Sequence, residues 1–128
     1  MREILFKAKC KDNGEWMEGF PIRIYDYGGK VWEMHPFETN FNVICGVIPE
    51  TICQFTGLTD KNGKKIFEGD IVRYMKDDIM VVVWNNDSAA FVGAYSAINF
   101  NYCATLINGH MYLEVIGNIY DNPELLSD

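Results

Sequence analysis

Hydrophobic and polar residues alternate with the two-residue period of β-strands in the first part of the chain. The alternation covers Ile4–Cys10, and a polar Asp-Asn-Gly turn at 12–14 separates it from a second run, Trp16–Phe20. It resumes over Ile22–Tyr25 and Val31–Met34, with two glycines between these runs. Two antiparallel hairpins are therefore predicted, because apolar runs around short glycine-containing turns are typical of paired strands.

The next segment is less regular. Pro36 disfavours helix at the preceding residue and has no N–H to donate to a strand ladder, so a loop or an edge is expected over His35–Asn42. Phe41–Val47 is again apolar and predicts a strand.

A third hairpin has the clearest turn in the chain. The apolar runs Ile52–Leu58 and Ile66–Tyr74 flank Asp60-Lys61-Asn62-Gly63. Asn and Gly are the residues that most readily take the positive φ angles of a tight turn. This segment predicts two strands joined at residues 60–63.

Short strands continue towards the C-terminus. Frequent turns, among them Lys76-Asp77-Asp78 and Asn108-Gly109, and the absence of a long helical period favour a small antiparallel β-barrel. Only the tail predicts a short helical turn, since Asn122 suits a helix cap and Pro123 suits the first helical position. The strands are predicted over Ile71–Met75, Ile79–Trp84, Phe91–Tyr95, Asn101–Leu106 and Met111–Ile116.

Three segments resemble a known family. FTGLTDKNGKKIFEGDIV at 55–72 and LEVIGNIYDNPELL at 113–126 carry most of the likeness, and REILFKAKCKDNGEW at 2–16 is a weaker match. Together they resemble the YopX-like family of small phage and prophage proteins, whose biochemical role is uncharacterised. Residues 25–48 and 87–109 depart from the family pattern, so partner-specific features are expected there.

The resemblance implies a fold and an organisation. Residues 1–128 are expected to form a single YopX-like unit, with an N-terminal β-hairpin region at 1–63 and an SH3-like β-barrel region at 64–121. Asp70 is expected to bond the backbone amides of the turn that enters the barrel. The signature residues are interpreted as turn formers, not as chemical groups: Gly57, Asp60, Asn62, Gly63, Glu68, Gly69 and Asp70.

Composition narrows the classes of partner. The chain has 128 residues, 48% of them hydrophobic and 14% aromatic, which is enough to bury a core. Its net charge of −7 opposes sequence-independent binding to the phosphate backbone of nucleic acids, which depends on clustered Lys and Arg. Nucleic-acid binding is therefore disfavoured, although two groups of lysines are candidates for local basic patches: Lys7, Lys9 and Lys11, and Lys61, Lys64 and Lys65.

The expected compartment is the host cytoplasm. The N-terminus has no apolar signal region, and no stretch approaches the roughly 18 apolar residues of a membrane span. The four cysteines are scattered, so reduced thiols are expected instead of a disulfide framework.

No arrangement of residues predicts catalysis, a cofactor or a metal site. Counted from Asp60, a calcium-binding loop would need Gly at position six and a bidentate acid at position twelve, but Lys65 and Ile71 stand there. His35 and His110 lack neighbouring ligands at metal-binding spacing. A cysteine paired in space with a histidine stays open as a nucleophile.

The leading hypothesis is a non-enzymatic accessory protein that binds a host or phage protein through its β-rich surface and that also forms homo-oligomers. The alternative is a small β-barrel that binds nucleic acid, and a third reading is an unrecognised hydrolase using Asp70 or a cysteine. Most aromatic rings are expected in the core. The candidate interaction surface is Trp16, Trp32, Lys64, Lys65, Arg73 and Tyr74.

Overall fold

The structure of the protein, a computed structural model, is described over residues 4–26, 29–36, 45–75, 78–94, 103–105 and 110–126. The chain divides into two compact units, Met1–Gln54 and Phe55–Asp128, so the predicted boundary at residues 63 and 64 falls within the second unit. The prediction of a mainly β, antiparallel fold is confirmed. In the described part of the chain, no helix has the length and hydropathy that spanning a bilayer requires.

Most of the first unit belongs to a six-stranded antiparallel sheet in the order β4-β3-β2-β1-β5-β6. Its strands are β1 (Phe6–Lys9), β2 (Trp16–Asp26), β3 (Gly29–Pro36), β4 (Cys45–Gly46), β5 (Cys53–Thr59), which begins in this unit and ends in the next, and β6 (Lys65–Phe67). The second strand is continuous through Pro21, which lies opposite Met34, so the two strands predicted on either side of this proline are one. Its first half pairs with β1 and its second half with β3.

One face of this sheet packs on the core of the first unit. Ala8, Met34 and Val47 are fully buried at its centre. Four partly buried side chains pack around them: Phe6, Met17, Trp32 and Ile52. Because side chains alternate along a strand, the neighbours of Met17 in β2 point to the opposite face.

A disulfide joins Cys10 to Cys45, against the expectation of reduced thiols. The two residues are 35 positions apart, but an isolated bridge between Cys10 and Val47 and a hydrogen bond from the Lys11 N–H to the Gly46 carbonyl oxygen (2.8 Å) bring their segments together. Cys53 is a buried thiol that donates to the Thr51 carbonyl oxygen. The long separation explains why the pairing is not visible in the sequence.

Peptide mapping tests this pairing. After alkylation without reductant and proteolysis, we expect one linked species that contains Cys10 and Cys45, and we expect Cys53 in thiol form. Substitution of Cys10 by Ser should leave Cys45 open to alkylation, whereas substitution of Cys53 by Ser should leave the linked species unchanged. Full alkylation of Cys10 in the unreduced native protein would contradict the disulfide.

The second unit contains a five-stranded antiparallel sheet in the order β10-β9-β8-β7-β11, together with the hairpin of β5 and β6. The sheet does not close, so the predicted SH3-like barrel is corrected to an open sheet that packs on a hairpin. β6 pairs with β5, whereas β7 pairs with β8 and β11. The strands are β6 (Lys65–Phe67), β7 (Asp70–Tyr74), β8 (Asp78–Asn85), β9 (Ala90–Ala94), β10 (Cys103–Thr105) and β11 (Leu113–Asn118).

The core of the second unit lies between the β5–β6 hairpin and the five-stranded sheet. Ile66 of the hairpin is fully buried and packs with apolar residues of four strands of the sheet. These residues are Val72, Met80, Val82, Phe91 and Leu113, with Leu58, Tyr74 and Val115 at the edges of the cluster. Burial of this kind stabilises a fold by roughly 25 cal/mol per Å² of apolar surface.

Three short 3₁₀ helices complete the described elements: Pro49–Thr51, His110–Tyr112 and Pro123–Leu126. The last confirms the predicted helical turn in the tail. The side chain of Asn122 points back along the chain, where its Oδ1 accepts the N–H of Asn118 (3.2 Å). The predicted turns at 76–77 and 108–109, and residues 37–44 of the predicted loop and strand, lie outside the described residues.

Candidate protein-interaction surface

The turn between β5 and β6 is organised by the carboxylate of Asp60. This residue is 5% exposed, and its Oδ1 accepts the backbone N–H groups of Asn62 (2.8 Å) and Lys64 (2.9 Å). Its Oδ2 accepts the N–H of Val115 in β11 (2.9 Å), and the N–H of Lys61 donates to the Leu113 carbonyl oxygen (2.9 Å). The turn therefore covers the free edge of β11.

The same contacts set the pKa of Asp60. Burial raises the pKa, but the N–H groups of Val115, Lys64 and Asn62, together with the positive charge of Lys64, stabilise the ionised form and outweigh it, so that the pKa lies below its ordinary value of 3.8. A carboxylate held ionised by three backbone amides is a structural acceptor and is poorly suited to take up a proton in catalysis.

Three glycines of the signature lie at positions whose backbone conformation favours glycine. Gly57, Gly63 and Gly69 have φ angles of 88°, 82° and 87°, in the left-handed region that favours glycine. Asn62, for which a positive φ was expected, is not among the described residues with positive φ. Gly63 alone therefore provides the left-handed position of the 60–63 turn.

Asp70 and Glu68 belong to the turn between β6 and β7. Asp70 is 2% exposed and its Oδ2 accepts the N–H of Phe67 (2.8 Å), as the sequence predicts for a carboxylate that bonds its own turn. The N–H of Gly69 donates to Val82, and the Gly69 carbonyl oxygen accepts the N–H of Ile119. The signature thus places polar groups inside the fold.

A different surface, in the first unit, exposes apolar and charged side chains. Trp16, Glu18, Phe20 and Ile22 alternate along β2 with the core-facing residues and share the face opposite the core. Phe20 and Ile22 are each 41% exposed. Two lysines of β1 lie on this face, with their Nζ atoms 4.7 Å (Lys7) and 5.5 Å (Lys9) from the centroid of the Trp16 ring. We call these six residues the outer face of the N-terminal sheet.

The structure separates the residues proposed from the sequence as an interaction surface. Trp16 lies on the outer face, whereas Trp32 packs against the core on the opposite face. Lys64 is exposed at the β5–β6 turn, and the Nζ of Lys65 lies 5.9 Å from the ring centroid of Phe55.

The other two proposed residues lie on β7 in the second unit. Arg73 forms an ion pair with Glu114 of β11. The ring of Tyr74 contacts that of Tyr112, with 6.5 Å between the ring centroids.

Sequence reasoning missed Phe20 and Ile22. Both faces of β2 are apolar around Pro21, so the alternation shows which residues share a face but not which face is covered. Their position beside Trp16 at two-residue spacing was the available signal.

The described residues contain no group of three or more His, Cys, Asp and Glu side chains arranged to hold a metal ion. The side chains of His35 and His110, and with them the predicted pairing of a cysteine with a histidine, lie outside the described residues. Trp84, 42% exposed, lines an open pocket of about 260 Å³ with Asn85, Asn86 and Asp87. The lining of this shallow pocket contains a single carboxylate, that of Asp87.

Comparison with known proteins places the chain in a family. The crystal structure of protein EF1440 from Enterococcus faecalis is similar to this chain, with a TM-score of 0.55 and 25% sequence identity, covering 99% of this chain and 100% of that one. None of the curated proteins is significantly similar. The family model of the YopX protein matches residues 6–127, nearly the whole length. The chain therefore belongs to the YopX family.

Proposed function

We propose that this protein is a non-enzymatic phage or prophage accessory protein that binds a host or phage protein through the outer face of its N-terminal sheet. The observation that carries the proposal is the exposure of Phe20 and Ile22, at 41% each, beside Trp16 on a single strand. Contiguous apolar side chains exposed on one face of a sheet are typical of binding surfaces.

The composition of this face suits a protein partner. Aromatic side chains often dominate the binding energy of protein interfaces, and a polar rim commonly surrounds an apolar centre. Here Phe20 and Ile22 provide apolar area, and Lys7 lies opposite Glu18 in the register of β1 and β2. The rim therefore carries both signs of charge, which favours a specific protein contact over general attraction to a polyanion.

Nucleic-acid binding is the second candidate, because Trp16 and two lysines meet on this face. Bases bind such surfaces by stacking on an open aromatic ring. Here the ammonium groups of Lys7 and Lys9 lie within 5.5 Å of the centroid of the Trp16 ring, in the space that a stacked base would take. The net charge of −7 adds a general repulsion of phosphate.

Affinity capture with a double variant tests the proposal. The tagged protein and a Phe20→Glu/Ile22→Glu variant are used to capture proteins from a bacterial host lysate treated with nuclease. We expect the wild type to retain a partner in a fixed ratio and the variant to lose it, because two carboxylates would be buried unpaired in the interface. Both side chains are exposed, so circular dichroism and the unfolding midpoint should change little.

The matched control is Leu125→Glu, which adds a carboxylate at a 37% exposed leucine of the second unit. This variant should capture the partner as the wild type does. Equal capture by the wild type and the double variant would contradict the outer face as the binding site. Capture that disappears with nuclease, together with binding of single-stranded probes, would replace the proposal with the nucleic-acid alternative.

A further inference from the structure

A second exposed apolar surface lies at one end of the five-stranded sheet. Met75, Met111 and Tyr112 are 67%, 65% and 58% exposed. Tyr74 lies opposite Leu113 in the ladder of β7 and β11. Met75, which follows Tyr74, is therefore placed beside Tyr112, which precedes Leu113. The rings of Tyr74 and Tyr112 meet edge to face. We call Tyr74, Met75, Met111 and Tyr112 the methionine–tyrosine end.

The backbone at Met75 adds an independent observation. Met75 has a φ angle of 58°, in the left-handed region that costs an L-residue with a bulky side chain and that Gly or Asn enters more easily. A strained backbone position that presents a long apolar side chain to solvent is unfavourable for an isolated molecule. Such outliers support a hypothesis of function at the residue concerned.

The charged residues beside this end are arranged asymmetrically. Asp78 of β8 lies opposite Tyr74 on one flank. On the other flank is the β5–β6 turn with the exposed Lys61 and Lys64, held beside β11 by the bond from the Lys61 N–H to the Leu113 carbonyl oxygen. Among the residues that the structure describes, the order across the surface is therefore acidic, apolar and basic.

We propose that the methionine–tyrosine end is the contact between two copies of this chain, related by a two-fold axis. In such an isologous contact the same surface meets itself, so each flank faces the opposite flank of the partner. Asp78 of one copy then lies against Lys61 and Lys64 of the other, while the methionines and tyrosines fill the centre. This local complementarity offsets the repulsion between two chains of net charge −7. The inference concerns the second unit and does not rest on the outer face of the first.

Sedimentation velocity measures the proposed dimer directly. The full chain is studied over a concentration series up to roughly 1 mM, where even weak association is detectable. We expect a monomer–dimer equilibrium that shifts towards monomer as salt is raised, because the flanking ion pairs are screened. Met75→Gly should weaken the dimer by at least about tenfold in Kd while leaving the unfolding midpoint unchanged or higher, since Gly relieves the left-handed strain.

Charge reversal distinguishes this contact from other modes of association. Asp78→Lys and Lys61→Glu should each weaken the dimer, and the combined double variant should restore it, because the complementary pair is re-formed with opposite signs. Leu125→Glu is the control and should leave the equilibrium unchanged. A wild type that stays monomeric throughout, or a dimer unaffected by Met75→Gly and by both charge reversals, would overturn the proposal.

Discussion

Substitution of Asp60 by Ala is expected to lower the free energy of unfolding by about 3–5 kcal/mol. Hydrogen bonds to a charged group contribute about 1.5–3 kcal/mol each, less than additively, and the substitution leaves three backbone N–H groups without their acceptor. Two of these groups, of Asn62 and Lys64, shape the turn, and the third, of Val115, ties the turn to β11. Denaturant unfolding should show a lower midpoint at unchanged slope.

The effect of Asp60 should depend on pH in a defined direction. Its pKa in the folded protein lies below the ordinary value of 3.8, so the ionised carboxylate stabilises the folded state. This contribution is fully present above pH 3.8 and is lost as the pH falls through the folded pKa. The difference in unfolding free energy between the wild type and Asp60→Ala should therefore shrink only as the pH falls below 3.8.

The control is Asp87→Ala, at an exposed turn residue of the same unit, which should change stability by no more than about 0.5 kcal/mol. If Asp60→Ala were equally mild, or if its cost did not change with acidification, the structural assignment of Asp60 would be wrong.

Substitution of Gly117 by Ala is expected to cost about 1–3 kcal/mol, which is typical of overpacking at a site that cannot expand freely. The backbone of Gly117 is not in the left-handed region, so conformation alone would tolerate alanine. The obstacle is Asn122: an added Cβ would lie 2.6 Å from its Oδ1 and 3.0 Å from its Cβ. Displacing Asn122 breaks the bond that its Oδ1 accepts from the Asn118 N–H.

A double-mutant cycle isolates this contact. With Asn122→Gly as background, the added methyl group of Gly117→Ala meets no side chain at position 122, so its cost should fall towards zero. Gly46→Ala is the matched control, because an added Cβ there would lie at an ordinary 3.7 Å from the nearest side-chain atom of Lys11. An equal cost of Gly117→Ala in both backgrounds would show that Asn122 is not the cause.

The sequence predicts the local elements well, because their determinants are neighbours in the chain. The alternation over Ile4–Cys10 and the turn at 60–63 predict hairpins that the structure contains. The helical turn of the tail is also predicted correctly, since Pro123 stands at its first position as expected, although Asn122 bonds Asn118 and does not cap the turn.

The contacts that the sequence could not predict join residues that are far apart in the chain. The bond from Val115 to Asp60 spans 55 positions and the disulfide between Cys10 and Cys45 spans 35. Barrel closure was also not decidable, because the count of strands does not say whether the edge strands meet.

The candidate site shows the same limit. Trp16, proposed from its residue type, lies on the outer face of the N-terminal sheet, whereas Trp32, proposed for the same surface, packs on the core. Alternation along β2 groups Trp16 with Phe20 and Ile22, yet only the packing of Met17 on the core decides which group is exposed. The exposed methionines were missed because apolar residues beside turns are ordinarily expected inside.

Hydroxyl-radical footprinting of the captured complex would test the proposed binding surface most directly. Phe20 and Trp84 are aromatic residues of nearly equal exposure, 41% and 42%, in different units of the chain. Phe20 is therefore the probe of the outer face, and Trp84 is the internal reference. If the outer face of the N-terminal sheet binds the partner, the oxidation rate of Phe20 falls in the complex while that of Trp84 is unchanged. An unchanged rate at Phe20 in a complex of full occupancy would contradict the proposal.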